Sequence, residues 1–109
     1  MSVLRTLQAP RLNRKLSHPA TGRVISYSDV GDPTGKAVFV CAGMGLTRYV
    51  SAFYEELAST LRLRLITVDR PGVGGSEPYP QSDRRGPLAW PDDIFVICQH
   101  LGIKELSLL

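Results

Sequence analysis

Leu63-Arg64-Leu65-Ile66-Thr67-Val68-Asp69, running directly into Arg70-Pro71-Gly72-Val73-Gly74-Gly75-Ser76, is the stretch whose reading decides the fold. Leu65, Ile66 and Val68, with β-branched Thr67 among them, form a short run that suits a strand buried on both faces, as in a parallel sheet. The run stops at an acid. One proline and three glycines then supply the fixed and positive φ values that a tight turn needs. Upstream, Ala37-Val38-Phe39-Val40-Cys41-Ala42 is a second buried run, broken by Gly43-Met44-Gly45. Between the two runs, Val50, Phe53, Tyr54, Leu57, Ala58 and Leu61 recur at helical spacing. That spacing predicts a helix whose apolar stripe lies against the sheet. Strand, helix and strand in this order make a parallel crossover unit.

Further out, the same logic extends the sheet. Asn13 to His18, the turn cluster Pro19-Ala20-Thr21-Gly22 and Arg23 to Ser28 predict an opening hairpin. Gly31-Asp32-Pro33-Thr34-Gly35 is a strong turn before the first parallel strand. Residues 77 to 89 form a polar loop with three prolines, long enough to be functional or mobile. Pro91, Asp92 and Asp93 open a second helix, with Ile94, Ile97, Cys98 and Leu101 as its apolar face, His100 in its last turn and Gly102 just past its end. Lys104 to Leu109 then reads as a buried parallel strand getting under way. The expected class is α/β: a hairpin followed by mostly parallel strands, flanked by two helices, in one domain.

Composition bounds what this domain does. A chain of 109 residues, 43% hydrophobic and 21% charged, is within the range of one ordinary soluble globular domain. The net charge is +3. Arg5, Arg11, Arg14, Lys15 and Arg23 precede the first acid, Asp29. Residues 1–12 are therefore expected to be a basic N-terminal tail, with residues 13–109 forming the domain. The basic stretch is either a solvated tail, an arm for an anionic surface or an organelle-targeting peptide. A cytoplasmic location is expected, with mitochondrial targeting as the alternative. No aromatic residue is interleaved with these charges, so nucleic-acid binding is not expected. No apolar stretch is long enough for a membrane span. Cys41 and Cys98 lie in apolar runs as small core residues, and His18 and His100 have no partners at metal-ligand spacing. No metal and no cofactor is expected.

Asp69, Gly72, Gly74 and Ser76, the Ala42-Gly43-Met44-Gly45 break, Gly31-Asp32-Pro33 and the segment from Trp90-Pro91-Asp92-Asp93 to Leu101-Gly102-Ile103 together resemble the α/β-hydrolase superfamily, of the AB hydrolase-1 type, from about Thr21 onward. The resemblance implies strand order 1-2-4-3-5. It implies that Met44, flanked by Gly43 and Gly45, offers one backbone N–H of an oxyanion hole, a donor worth about 2.7–4 kcal/mol where such donors have been removed. Asp69, Gly72, Gly74 and Ser76 would form a structural turn near that site. The alternative reading of both glycine loops is that they are tight connections and nothing more. Ala42 stands where the family usually has His, and Thr47-Arg48 fits a Ser-Arg pair common at this offset.

Hydrolysis by this fold needs a Ser on a G-x-S-x-G elbow, then an acid, then a His, in that chain order. Ser107 lacks flanking glycines, His18 comes before the crossover strands, and His100 ends a helix. No triad assembles, so the expectation is the N-terminal portion of a serine hydrolase, cut before the elbow and inactive by itself. Ester- or amide-type small-molecule substrates are expected only of a full-length parent. One rival is a non-catalytic binding fragment that self-associates through an exposed strand edge. Another is a Rossmann-type dinucleotide unit, which Arg48 at the third glycine position disfavours.

Overall fold

The computed structural model describes residues 7–40, 47–78 and 90–108. Five strands form one sheet: β1 (Arg14–Ser17), β2 (Val24–Gly31), β3 (Lys36–Val40), β4 (Leu63–Val68) and β5 (Leu106–Leu108). Their order is β1-β2-β4-β3-β5, as expected from the resemblance. β1 pairs antiparallel with β2, and β2 antiparallel with β4. β3 runs parallel to both β4 and β5. The opening hairpin closes where expected: His18 N–H donates to the Arg23 carbonyl at 2.8 Å and Gly22 N–H to the His18 carbonyl at 2.7 Å. Gly22 turns with φ +73°. β2 continues to Gly31, three residues beyond the expected end, because its last residues pair with the start of β4.

β3 and β4 carry apolar side chains on both faces, as their sequences indicated. On one face Ile25, Tyr27, Phe39, Ile66 and Val68 pack against Val96, Ile97 and Cys98 of a long helix. That helix, Trp90–Leu101, is called α2 below. It ends as expected at Gly102, which has φ +70°. Ile103 N–H bonds the Cys98 carbonyl at 2.9 Å and Gly102 N–H the Gln99 carbonyl at 3.4 Å, the paired bonds of a Schellman motif. Burial pushes the Cys98 thiol pKa up, which suits a core residue and not a reactive one.

The other face departs from expectation. Residues 48 to 61 form two short pieces, a 3-10 helix at Arg48–Phe53 and α1 at Glu55–Thr60. The predicted inward stripe points largely outward: Phe53 is 85% exposed, and Tyr54, Leu57 and Leu61 are each more than half exposed. Of the six stripe residues only Ala58 is buried. The reason lies in the sheet. β2 and β4 present Ser26, Ser28 and Thr67 toward this helix, all fully buried. The segment meets them with Arg48 and Ser51, which face inward at the three-residue pitch of a 3-10 helix. Ser28 Oγ lies 3.0 Å from Ser51 Oγ and 3.1 Å from the Arg48 carbonyl, and Ser51 also bonds Thr67. Buried hydroxyls need partners, so this polar seam selects the polar side of the helix. A smaller apolar cluster of Leu12, Val30, Ala58 and Leu65 lies beside it.

Leu12 is fully buried and Arg11 bonds Glu55 at 2.6 Å, so the packed structure already includes Pro10–Leu12, ahead of the expected boundary at residue 13. Arg23, counted with the basic stretch, is 6% exposed and pairs with Asp93. β5 pairs with β3 as expected, but it lies at the sheet edge and all three of its residues are exposed, Leu108 at 63%. Nothing among the described residues covers its outer side.

Candidate functional site

The C-terminal ends of parallel β3 and β4 open toward the same edge of the sheet. The candidate oxyanion-hole residues Gly43, Met44 and Gly45 follow β3 in the sequence and lie outside the described residues. Thr47 starts the 3-10 helix, its Oγ1 accepting from the Tyr49 N–H. Arg48 follows and is 7% exposed.

Arg48 and Asp69 form the centre of this edge. Asp69, directly after β4, is fully buried. Its carboxylate accepts from the Arg48 backbone N–H at 2.6 Å, from an Arg48 guanidinium nitrogen at 2.6 Å, from the Gly75 N–H at 3.0 Å and from the Ser26 hydroxyl. The rest of the guanidinium donates to the Leu12 carbonyl at 2.9 Å, to Asn13 Oδ1 at 2.9 Å and to the Tyr49 hydroxyl at 2.7 Å. Tyr49 in turn donates to Asn13 Oδ1 at 2.7 Å. A buried ion pair is tolerable only when its remaining donors and acceptors are met. Here they are met from four separate parts of the chain.

The turn after Asp69 wraps around this carboxylate. Gly72 and Gly74 have φ +78° and +55°. A Cβ on Gly74 would stand 2.7 Å from Asp69 Cγ and 2.9 Å from its Oδ1, so the backbone must pass the carboxylate without a side chain. Ser76, 5% exposed, accepts from the Ser26 N–H at 2.9 Å through its hydroxyl. The turn closes on itself through Val73 N–H to the Arg70 carbonyl at 2.9 Å and Ser76 N–H to the Val73 carbonyl at 3.1 Å. The four residues singled out by spacing, Asp69, Gly72, Gly74 and Ser76, thus lie in one turn. Its polar groups are turned inward on one another.

The other reactive side chains are scattered. His18 is 7% exposed, with Nε2 2.8 Å from Asp92 Oδ2 and Nδ1 accepting from the Ala20 N–H at 3.1 Å. Both ring nitrogens are therefore engaged, which leaves no lone pair to serve as a base. His100 is exposed in the last turn of α2, and Ser107 is exposed on β5 opposite Val38. No group of three metal-ligating side chains occurs among the described residues. No helix there is long and apolar enough to cross a membrane. An open depression of about 400 Å³ lies at the other end of the sheet, where Lys36 and Ala37 begin β3 and Leu106 begins β5.

Sequence reasoning noticed Arg48 as one half of the Thr47-Arg48 pair and as the residue at the third position of a failed glycine motif, and not as the centre of a buried network. It missed the polar seam of Ser26, Ser28, Ser51 and Thr67 and the Asn13–Tyr49 contact. The available signal was the Ser-x-Ser alternation in β2, which puts two hydroxyls on one sheet face.

No protein-family model matches the sequence, and no curated protein matches it significantly. Solved structures do match. A carboxylesterase structure from the ammonia-oxidizing thaumarchaeon Nitrososphaera gargenis superposes with TM-score 0.72 at 19% identity, over 87% of this chain. An epoxide hydrolase from Vigna radiata gives 0.71 at 21% identity over 88%. A bromoperoxidase from Bacillus anthracis gives 0.69 at 23% over 88%. The chain has the α/β-hydrolase fold.

Within that fold it spans only part of each match: 35% of the carboxylesterase chain, 30% of the epoxide hydrolase and 33% of the bromoperoxidase. The α/β-hydrolase likeness is consistent with an N-terminal portion of the fold. Identities this low carry the fold, and the matched proteins' different names show that the fold leaves the reaction open.

Proposed function

We propose that this chain is the N-terminal part of a serine α/β-hydrolase domain of the AB hydrolase-1 type, and that residues 1–109 by themselves do not hydrolyse substrate. The observation that carries this reading is the Arg48–Asp69 centre. It ties Arg48, three residues after Gly45, to the end of β4 through both main chain and side chain. A backbone N–H at Met44 can stabilise an oxyanion only if it is held in one geometry before the reaction, and Arg48, four residues on, is itself held by Asp69. In this role Arg48, Asp69, Gly74 and Ser76 are positioning residues, and the nucleophile, acid and base belong to sequence downstream of residue 109. The substrates of such a parent are small esters or amides.

A second reading, a non-catalytic interaction fragment, is favoured by one observation. Phe53, Tyr54, Leu57, Leu61, Phe95 and Leu108 are all more than half exposed. Apolar surface on both sides of a sheet with an open edge invites association with another chain. One experiment addresses both. The purified chain is run on a size-exclusion column and each fraction is treated with a serine-reactive fluorophosphonate. The expected result is elution larger than a monomer and no labelling. Stoichiometric labelling contradicts the hydrolase-fragment reading, and a cooperatively unfolding monomer contradicts the association.

A further inference from the structure

We infer that the first turn of α2 is held to the β1–β2 hairpin by a proton-sensitive clasp, centred on Asp93, that contributes more to the stability of the folded chain as pH falls. This goes beyond the hydrolase reading and does not depend on it. Two adjacent carboxylates on α2 each meet a buried base from the hairpin. Asp92 faces His18 at 2.8 Å, and Asp93 pairs through Oδ1 with Arg23. Arg23 also donates to the Glu77 carbonyl at 2.9 Å, so one guanidinium joins the end of the Asp69–Ser76 turn to the start of α2. Glu77 is itself fixed to β2, its carboxylate accepting from the Val24 N–H at 2.7 Å and its N–H donating to the Val24 carbonyl at 2.9 Å.

The asymmetry lies in Asp93. Its side chain is 1% exposed, and while Oδ1 has Arg23, Oδ2 has no hydrogen-bond partner among the described residues. A buried carboxylate oxygen without a donor is costly while charged and much less so once protonated. Burial raises the Asp93 pKa above the ordinary carboxylate value. Arg23 and, more weakly, His18 oppose the shift, and neighbouring Asp92 adds to it. A proton added at Oδ2 leaves Oδ1 free to keep the Arg23 bond.

The sign follows from linkage. A carboxyl whose pKa is raised on folding binds its proton more tightly in the folded chain. Its contribution to stability is complete below the unfolded value and is lost as pH rises through the folded one. Most acid groups behave in the opposite way, so the effect must be read as a difference. The experiment compares the thermal midpoints of the 109-residue chain and of Asp93→Asn, which cannot titrate, at steps from pH 7 down to pH 4. The midpoint of the parent chain is expected to rise relative to that of Asp93→Asn as pH falls, and Asp93 Cγ, followed by carbon NMR in the folded chain, should titrate above the ordinary carboxylate range. Arg23→Met, which removes the group opposing the shift, should move that titration further up. A midpoint difference that is flat or falls with acidification, or an Asp93 Cγ that titrates at or below the ordinary value, overturns the proposal. Should Asp93→Asn fail to fold, the Cγ titration of the parent chain decides alone.

Discussion

Arg48→Met is expected to destabilise the folded chain by about 3–5 kcal/mol, the usual cost of removing one partner of a buried ion pair. Methionine keeps most of the stem's volume, so the loss reports charge and hydrogen bonding more than packing. Asp69 has no exposure to water, and without the guanidinium its carboxyl group would have only main-chain and hydroxyl donors around it. The Leu12 carbonyl, Asn13 and the Tyr49 hydroxyl lose a donor at the same time. Domains of this size are stable by only about 5–15 kcal/mol in total, so the variant sits close to unfolding. Urea denaturation is the check: the midpoint should fall by about 2 M with an unchanged slope. Arg48→Met combined with Asp69→Asn should recover part of the loss, because removing both charges eliminates the buried one left alone. A midpoint within experimental error of the parent would mean that the pair does not hold this edge together.

Gly74→Ala is expected to cost about 3 kcal/mol, combining roughly 1 kcal/mol for a left-handed alanine with about 1–3 kcal/mol for overpacking. The new Cβ would meet the Asp69 carboxyl group, which Arg48 fixes in place and which therefore cannot swing away. Gly72→Ala separates the two contributions. Gly72 also has positive φ, but its nearest neighbour beyond the chain is Pro78 Cβ at an ordinary 3.6 Å. That variant should lose only the conformational share, about 1 kcal/mol. Equal losses at the two positions would show that the turn's shape matters and its contact with Asp69 does not.

Much of the fold was legible in the sequence, for identifiable reasons. β3 and β4 announced themselves because a strand buried on both faces needs apolar residues in succession, and Phe39 and Ile66 do sit on one face with Val38 and Leu65 on the other. The hairpin and the end of α2 were legible because Gly22 and Gly102 occupy left-handed positions that few residues tolerate. The segment from Arg48 to Leu61 was misread. Helical spacing reveals that two faces differ, and the apolar face is then assumed to be the inner one. That assumption failed where the sheet face is itself polar, at Ser26, Ser28 and Thr67.

The site was legible as a turn and not as a network. The family resemblance picked out Asp69, Gly72, Gly74 and Ser76, yet the residue that pairs with Asp69, Arg48, lies 21 positions before it. Arg23 was misplaced for the same reason. Its partner Asp93 is 70 residues away, and a charge in a basic stretch looks solvated until the buried acid that neutralises it is located.

The central claim is that this α/β-hydrolase fold is the N-terminal part of a serine hydrolase domain, with its nucleophile beyond the fifth strand. Reading the coding sequence past codon 109 tests it most directly. The account expects a G/A-x-S-x-G elbow within about ten residues, at the strand-to-helix turn that the motif requires. A stop codon, with no such elbow in any frame, would contradict it.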